Sequence, residues 1–235
     1  MARAPIDTID RLIVALDVPS TDEARRIVEA IGPAARFYKI GMQLVFAGGL
    51  DLIRELVAED KKIFLDMKLL DIGNTVEKGV ASIAGLGASL TTIHAYPQAM
   101  RAAVKARGNS GLALLGVTVL TSMDDHDLAE SGYLQDAHAL VEQRAVQARD
   151  SAMDGIVASP LEAERLRALI GDEMLLVTPG VRPSWSGADD QKRIATPRDA
   201  IRAGSDHLVV GRPVVAAGNP REAATRIVDE IAEAE

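Results

Sequence analysis

Short apolar runs rich in β-branched residues alternate along this chain with longer stretches of helical period. "RLIVALDV" (11–18) precedes "STDEARRIVEAI", a helix that opens with Ser20 or Thr21 as N-cap and acids in its first turn. "RFYKIG" (36–41) precedes a helical stretch ending near Glu59, and "KKIFLDMK" (61–68) precedes "NTVEKGVASIAGL", capped by Asn74 or Thr75. "SLTTIHAY" (89–96), "LALLGVTVL" (112–120), "DGIVAS" (154–159), "MLLVTPG" (174–180) and "DHLVVGRPV" (206–214) follow, most with a helical segment behind them. A last helix from about Arg221 to Ala232 closes the chain. Such alternation predicts a parallel sheet with right-handed crossovers. About eight strand–helix units in a chain of this length favour a closed (β/α)8 TIM barrel of the α/β class. The alternative is an open flavodoxin-like sheet, which usually has fewer strands. No linker, repeat or low-complexity tract divides the sequence, so residues 1–235 read as a single barrel domain.

The polar residues interrupt this pattern in one kind of place. Asp17, Lys39, Asp66, Lys68, His94, Ser159, Thr178 and Arg212 all fall near the C-terminal ends of their predicted strands. In a barrel those ends gather around one mouth, where the active sites of this fold lie. The stretch "IFLDMKLLDIGNTV" (63–76) is the densest case. Strand alternation puts Phe64, Asp66 and Lys68 on one face and Ile63, Leu65 and Met67 on the other. The uniformly apolar set should meet the outer helices, leaving Asp66 and Lys68 to point inward. Lys39, on the neighbouring strand, can project beside them. Opposite charges so placed hold each other ionised, by roughly 4 kcal/mol per close pair at an effective dielectric of about 20. An isolated Asp–Lys pair reads as a structural ion pair, but Asp17, Lys39, Asp66, Lys68 and Asp71 at one mouth read as a site. A lysine flanked by carboxylates stays protonated and can act as a general acid.

An anion grip is predicted on the other side of the mouth. "VTPGVRPSWSGADDQKR" is a long polar loop after the seventh strand and carries Arg182, Gln191 and Arg193, and "VVGRPV" ends the eighth strand in Gly211-Arg212. Barrels often bind phosphate in these two loops. Gly211 permits close backbone approach, and Arg212 supplies a forked, charge-assisted contact. Metal ligation is disfavoured, because His94 has no sequence-local partner and Lys39 and Lys68 would repel a cation.

Composition narrows the class. The 235 residues are 48% hydrophobic and 26% charged, an ordinary globular balance, but only 3% aromatic, so Ala, Val, Leu and Ile must carry the packing. A formal net charge of -8 argues against a nucleic-acid binder, while a few local arginines suffice for an anionic small ligand. There is no cysteine, which excludes disulfides and thiolate chemistry. The N-terminus lacks a signal-peptide pattern and no run reaches membrane-spanning length, so the expectation is a cytoplasmic protein.

Taken together, "ALDV", "YKIG", "FLDMKLLDIGNTV", "VTVLTSM", "VTPGVRP" and "VVGRPV" closely resemble the orotidine 5′-phosphate decarboxylase family, in the family's order and from about Leu12 to Pro213. The resemblance implies decarboxylation of orotidine 5′-monophosphate to uridine 5′-monophosphate (UMP) and CO2, the final step of de novo pyrimidine nucleotide synthesis, with neither metal nor cofactor. It implies that Lys68 donates the proton to C6 and that Asp66 lies against the substrate carboxylate. Asp66, Lys39, Lys68 and Asp71 would form the charged array, and Asp17 and Lys39 would contact the ribose hydroxyls. Thr121 or Ser122 would bond the pyrimidine, and Arg182, Gln191, Gly211 and Arg212 would form the phosphate side. It further implies a homodimer in which Asp71, Ile72 and Thr75 enter the neighbouring subunit's site. Two alternatives share features of the sequence. A Mg²⁺-dependent phosphosugar decarboxylase or synthase of the same wider group also carries D-x-K-x-x-D, but has an acidic ligand where this chain has Lys39. A non-catalytic phosphate-ligand barrel is the other, and the intact Lys68 with both carboxylates weighs against it.

Overall fold

The computed structural model describes residues 5–186 and 195–235. Eight parallel strands close on themselves in sequence order, β1 bonding both β2 and β8, which excludes the open sheet. The strands are β1 (Leu12–Ala15), β2 (Phe37–Gly41), β3 (Lys62–Leu69), β4 (Leu90–His94), β5 (Ala113–Val117), β6 (Gly155–Val157), β7 (Leu175–Pro179) and β8 (His207–Val210). The principal crossover helices are α1 (Thr21–Ile31), α2 (Leu50–Ala58), α3 (Gly73–Gly85), α4 (Pro97–Arg107), α5 (Ala137–Asp150), α6 (Ala163–Ile170) and α7 (Pro197–Arg202), with α8 (Pro220–Ala232) closing the ring. Among the described residues no helix is long and apolar enough to cross a membrane.

The two faces of the strands form two cores. Ile13, Phe37, Phe64, Leu90, Leu115, Val177 and Val209 fill the barrel interior, whereas Ile63, Leu65 and their equivalents pack outward against the helices. Met67 also lies against the outer layer, as strand alternation requires. Helix starts follow local chemistry. Ser20 caps α1 by accepting the Glu23 N–H at 3.2 Å. The cap expected at Asn74 or Thr75 is not there: α3 begins at Gly73, with extended Ile72 in the capping position and no side-chain cap. The first turn closes earlier, with the Thr75 and Val76 N–H groups donating to the Ile72 carbonyl at 2.9 and 3.1 Å, while the Asp71 carboxylate accepts the Ile72 N–H at 2.6 Å.

β3 is the longest strand and does not run straight. Its register against β4 shifts between Leu65 and Leu69, and Lys68 adopts φ of 50°. A non-glycine residue in the left-handed region costs about 1–2 kcal/mol, and the bulge re-aims its side chain. At the sixth strand the interior is tight. A Cβ on Gly155 would lie 2.4 Å from the Leu175 carbonyl oxygen and 2.9 Å from the Leu115 side chain. The absent side chain lets Leu115 and Leu175 meet across the interior. Gly155→Ala is therefore expected to lower unfolding stability by about 1–3 kcal/mol through overpacking. Denaturation with an unchanged midpoint would show that the interior relaxes without cost.

Candidate active site

Neighbouring strands supply the charged cluster. Asp66 on β3 is 9% exposed, and both of its oxygens accept from Lys68 Nζ at 2.8 Å. Lys39 Nζ, from β2, lies 3.7 Å from Asp66 Oδ2 and donates to Asp17 Oδ1 at 2.8 Å. Register makes this meeting possible, since Lys39 pairs with Phe64 and Gly41 with Asp66. A Cβ on Gly41 would stand 3.1 Å from both Lys39 Nζ and Asp17 Oδ1, so the glycine leaves room for that ion pair.

Thr92 on β4 completes the cluster, and sequence reasoning missed it. Its hydroxyl donates to Asp66 Oδ1 at 2.8 Å and accepts the Lys68 backbone N–H at 2.8 Å. One small group thus orients the carboxylate and secures the strained backbone of the lysine. The signal was present in "SLTTIHAY", where an inward Leu90 places Thr92 on the interior face two residues later.

Burial works against ionisation of Asp66. Lys39 and Lys68, with the hydrogen bonds from Lys68 and Thr92, outweigh it and hold the carboxyl below the usual carboxylate range. His94, half-buried at the end of β4, is pushed below its ordinary value by burial, then by Arg144 and Lys68, with Asp66 opposing. It is therefore neutral at physiological pH.

The cluster forms one wall of a cavity of about 390 Å³, within the ordinary size range of small-molecule sites. Asp17, Lys39, Asp66, Lys68, Thr121, Arg182, Gly211 and Arg212 line it together, with Phe64 as its floor. Arg182 is 7% exposed, and its backbone N–H donates to the Ala195 carbonyl at 2.9 Å. Gly211 sits immediately before a short helical turn, Arg212–Val215. Trp185 sits further along the loop from Arg182, and the Arg226 guanidinium of α8 stacks 4.4 Å from its ring centroid.

Other expected residues fall elsewhere. Ser122 is exposed and outside the cavity lining, whereas its neighbour Thr121 lies within it. Asp71, Ile72 and Thr75 are exposed and do not line their own chain's cavity. Gln191 and Arg193 lie outside the described residues. Two strand-end residues do other work. Ser159 is buried and accepts the Leu161 N–H as a helix cap, because the chain turns directly after β6. Thr178 bonds Ser205 at 3.1 Å, since Val177 takes the interior face of β7 and alternation turns Thr178 outward.

Fold and site together define a (β/α)8-barrel enzyme in which a lysine–carboxylate array shares one cavity with two arginines. The chain belongs to the orotidine 5′-phosphate decarboxylase / HUMPS family, whose model matches residues 10–227. It is 58% identical over 234 residues to orotidine 5′-phosphate decarboxylase of Rhodopseudomonas palustris strain HaA2 and 57% identical to that of strain BisB5, covering 100% of each chain in both cases. Among solved structures it is similar to orotidine 5′-phosphate decarboxylase from Lactobacillus acidophilus, with a TM-score of 0.85, 38% identity and coverage of 94% of this chain and 99% of the other. It is also similar to an uncharacterized conserved protein from Geobacillus kaustophilus, with a TM-score of 0.82, 31% identity and the same coverage.

The lowered His94 value sets a pH dependence. Its folded pKa lies below its unfolded one, so its contribution to stability is complete above about pH 6.5 and is lost as pH falls towards the folded value. Melting temperature is expected to drop between about pH 7.5 and about pH 5, and less so in His94→Gln. Parallel pH profiles for the two proteins would remove His94 as the cause.

Proposed function

We propose that this chain decarboxylates orotidine 5′-phosphate to UMP and CO2, closing de novo pyrimidine nucleotide synthesis in the cytoplasm, without metal or cofactor. The observation that carries the reading is a buried carboxylate gripped by two ammonium groups in the same cavity as Arg182, Gly211 and Arg212. The phosphate belongs at Arg182, Gly211 and Arg212, joined by Gln191, and the ribose hydroxyls at Asp17 and Lys39. The pyrimidine then reaches across the barrel towards β3 and β5, where Thr121 is placed to bond its edge.

In that pose the C6 carboxylate faces Asp66, and Lys68 Nζ faces C6. As the C–C bond breaks, its electron pair stays on C6 in the plane of the ring, where the π system cannot delocalise it. Stabilisation must then come from fixed charge at that carbon. Lys68 supplies the cation and afterwards the proton, which forms the new C6–H bond and leaves a neutral amine to be reprotonated from water. Lys39 and Asp17 hold Asp66 and the ribose in register. Phosphate binding far from C6 can contribute to turnover by organising the charged groups. A divalent cation beside Asp66 would face ammonium groups 2.8 and 3.7 Å from that carboxylate, which disfavours the metal-dependent relatives.

Lys68→Ala should abolish detectable turnover, measured as absorbance loss of orotidine 5′-phosphate with EDTA present, while the fold survives. Lys68→Arg should not rescue it, because a guanidinium differs in shape and holds its proton more tightly. Near-normal turnover in folded Lys68→Ala would remove the lysine from the chemistry.

The site is proposed to be shared across a homodimer, with Asp71, Ile72 and Thr75 serving the neighbouring subunit's cavity. Their exposure outside their own cavity supports this, as do the exposed apolar side chains of Met42, Phe46, Leu50, Leu70 and Ile72 on the segments following β2 and β3. Mixing inactive Lys68→Ala and Asp71→Ala chains under subunit exchange should restore activity. In each hybrid dimer one site carries both defects and the other neither, so about a quarter of all sites recover at equal mixing. No recovery after verified exchange would place Asp71 in its own chain's site.

A further inference from the structure

Arg144 lies on α5 facing the barrel and is 8% exposed. Among the described residues no carboxylate lies within ion-pairing distance of it. Its guanidinium instead stands 4.9 Å from the centroid of Tyr96 and 5.2 Å from that of Tyr133. Nη2 donates to the Tyr133 hydroxyl at 2.8 Å, which shares a 2.5 Å hydrogen bond with the Tyr96 hydroxyl. Nη1 donates to the Thr118 carbonyl at 2.5 Å. A buried charge without a counter-ion is expensive, and an apolar side chain would fill the space at lower cost. What the arginine adds is a fork joining three segments at the mouth. Tyr96 follows β4, Thr118 follows β5, and Tyr133 lies in the crossover before α5. Thr118 opens the segment that carries Thr121 into the cavity, on the far side of the barrel from Gly211 and Arg212.

We infer that Arg144 is a positioning residue for the base-binding side of the cavity, acting through the Thr118 carbonyl to hold the segment bearing Thr121. The inference rests on the nucleotide reading proposed above. It separates two parts of one ligand. The phosphate and ribose meet β1, β2, β7 and β8, which Arg144 does not touch, while the pyrimidine meets the segment that it holds. A lysine in its place would keep the charge but not the planar fork or the stacking.

The test is calorimetric titration of UMP and of ribose 5-phosphate, each into wild type, Arg144→Met, Arg144→Lys and Tyr133→Phe. Arg144→Met should weaken UMP about tenfold, as expected for loss of a charge-assisted hydrogen bond that orders a binding segment. Ribose 5-phosphate affinity should stay within about twofold. Arg144→Lys should show most of the same selective loss, and Tyr133→Phe a smaller one in the same direction. If Arg144→Met does not fold, Tyr133→Phe alone decides, because its ring stays in place and only the hydroxyl is removed. Equal weakening of both ligands, or no weakening of UMP, overturns the role. Wild-type protein that fails to bind UMP overturns the nucleotide reading and this inference with it.

Discussion

A carboxylate buried at the mouth of a barrel persists as an anion only if cations and donors meet it there. Asp66 is that carboxylate, and its partners come from three adjacent strands: Lys39 on β2, Lys68 on β3 and Thr92 on β4. Removing one partner from a buried ion pair leaves an uncompensated charge, a loss of about 3–5 kcal/mol. The rest of the mouth is arranged around this need. Gly41 clears space for the Lys39–Asp17 pair, and that pair keeps the Lys39 ammonium at the edge of the cluster. Charge placement and strand register are therefore one constraint seen from two sides.

The same constraint explains where strain is tolerated. Lys68 sits in the left-handed region within the break in the β3–β4 register, between the paired residues Leu65 and Leu69. Its backbone N–H goes to the hydroxyl that also orients Asp66. The polar cluster thus compensates the conformational cost locally, and the ammonium lines the cavity on both Asp66 oxygens. Local strain at a functional side chain, held by its surroundings, is a familiar arrangement in enzymes.

Much of this was legible in sequence because the barrel writes a regular code. Strand–helix alternation announced the architecture, and inward alternation along "IFLDMK" placed Asp66 and Lys68 together. Reading every polar strand end as part of the site went too far for Ser159 and Thr178. Ser159 lies past the end of β6 and caps the next turn, whereas strand phase turns Thr178 outward to Ser205. The start of α3 differs from the expected cap because the first turn closes on the backbone carbonyl of Ile72, an apolar residue that carries no capping signal. Thr92 and Arg144 escaped notice for a different reason. Their importance lies in contacts to segments distant in the chain: alternation from Leu90 announces only that Thr92 faces inward, and nothing beside Arg144 announces its partners.

Trp185, in the loop that also carries Arg182, is the chain's single tryptophan, and the Arg226 guanidinium of α8 stacks on its ring. Indole emission responds to a stacked cation and to the polarity of its surroundings. The tryptophan emission of the chain therefore originates from one position, three residues along the chain from Arg182, with no second indole to obscure it. The surroundings of the Trp185–Arg226 stack thus have an optical readout that needs no label and no turnover.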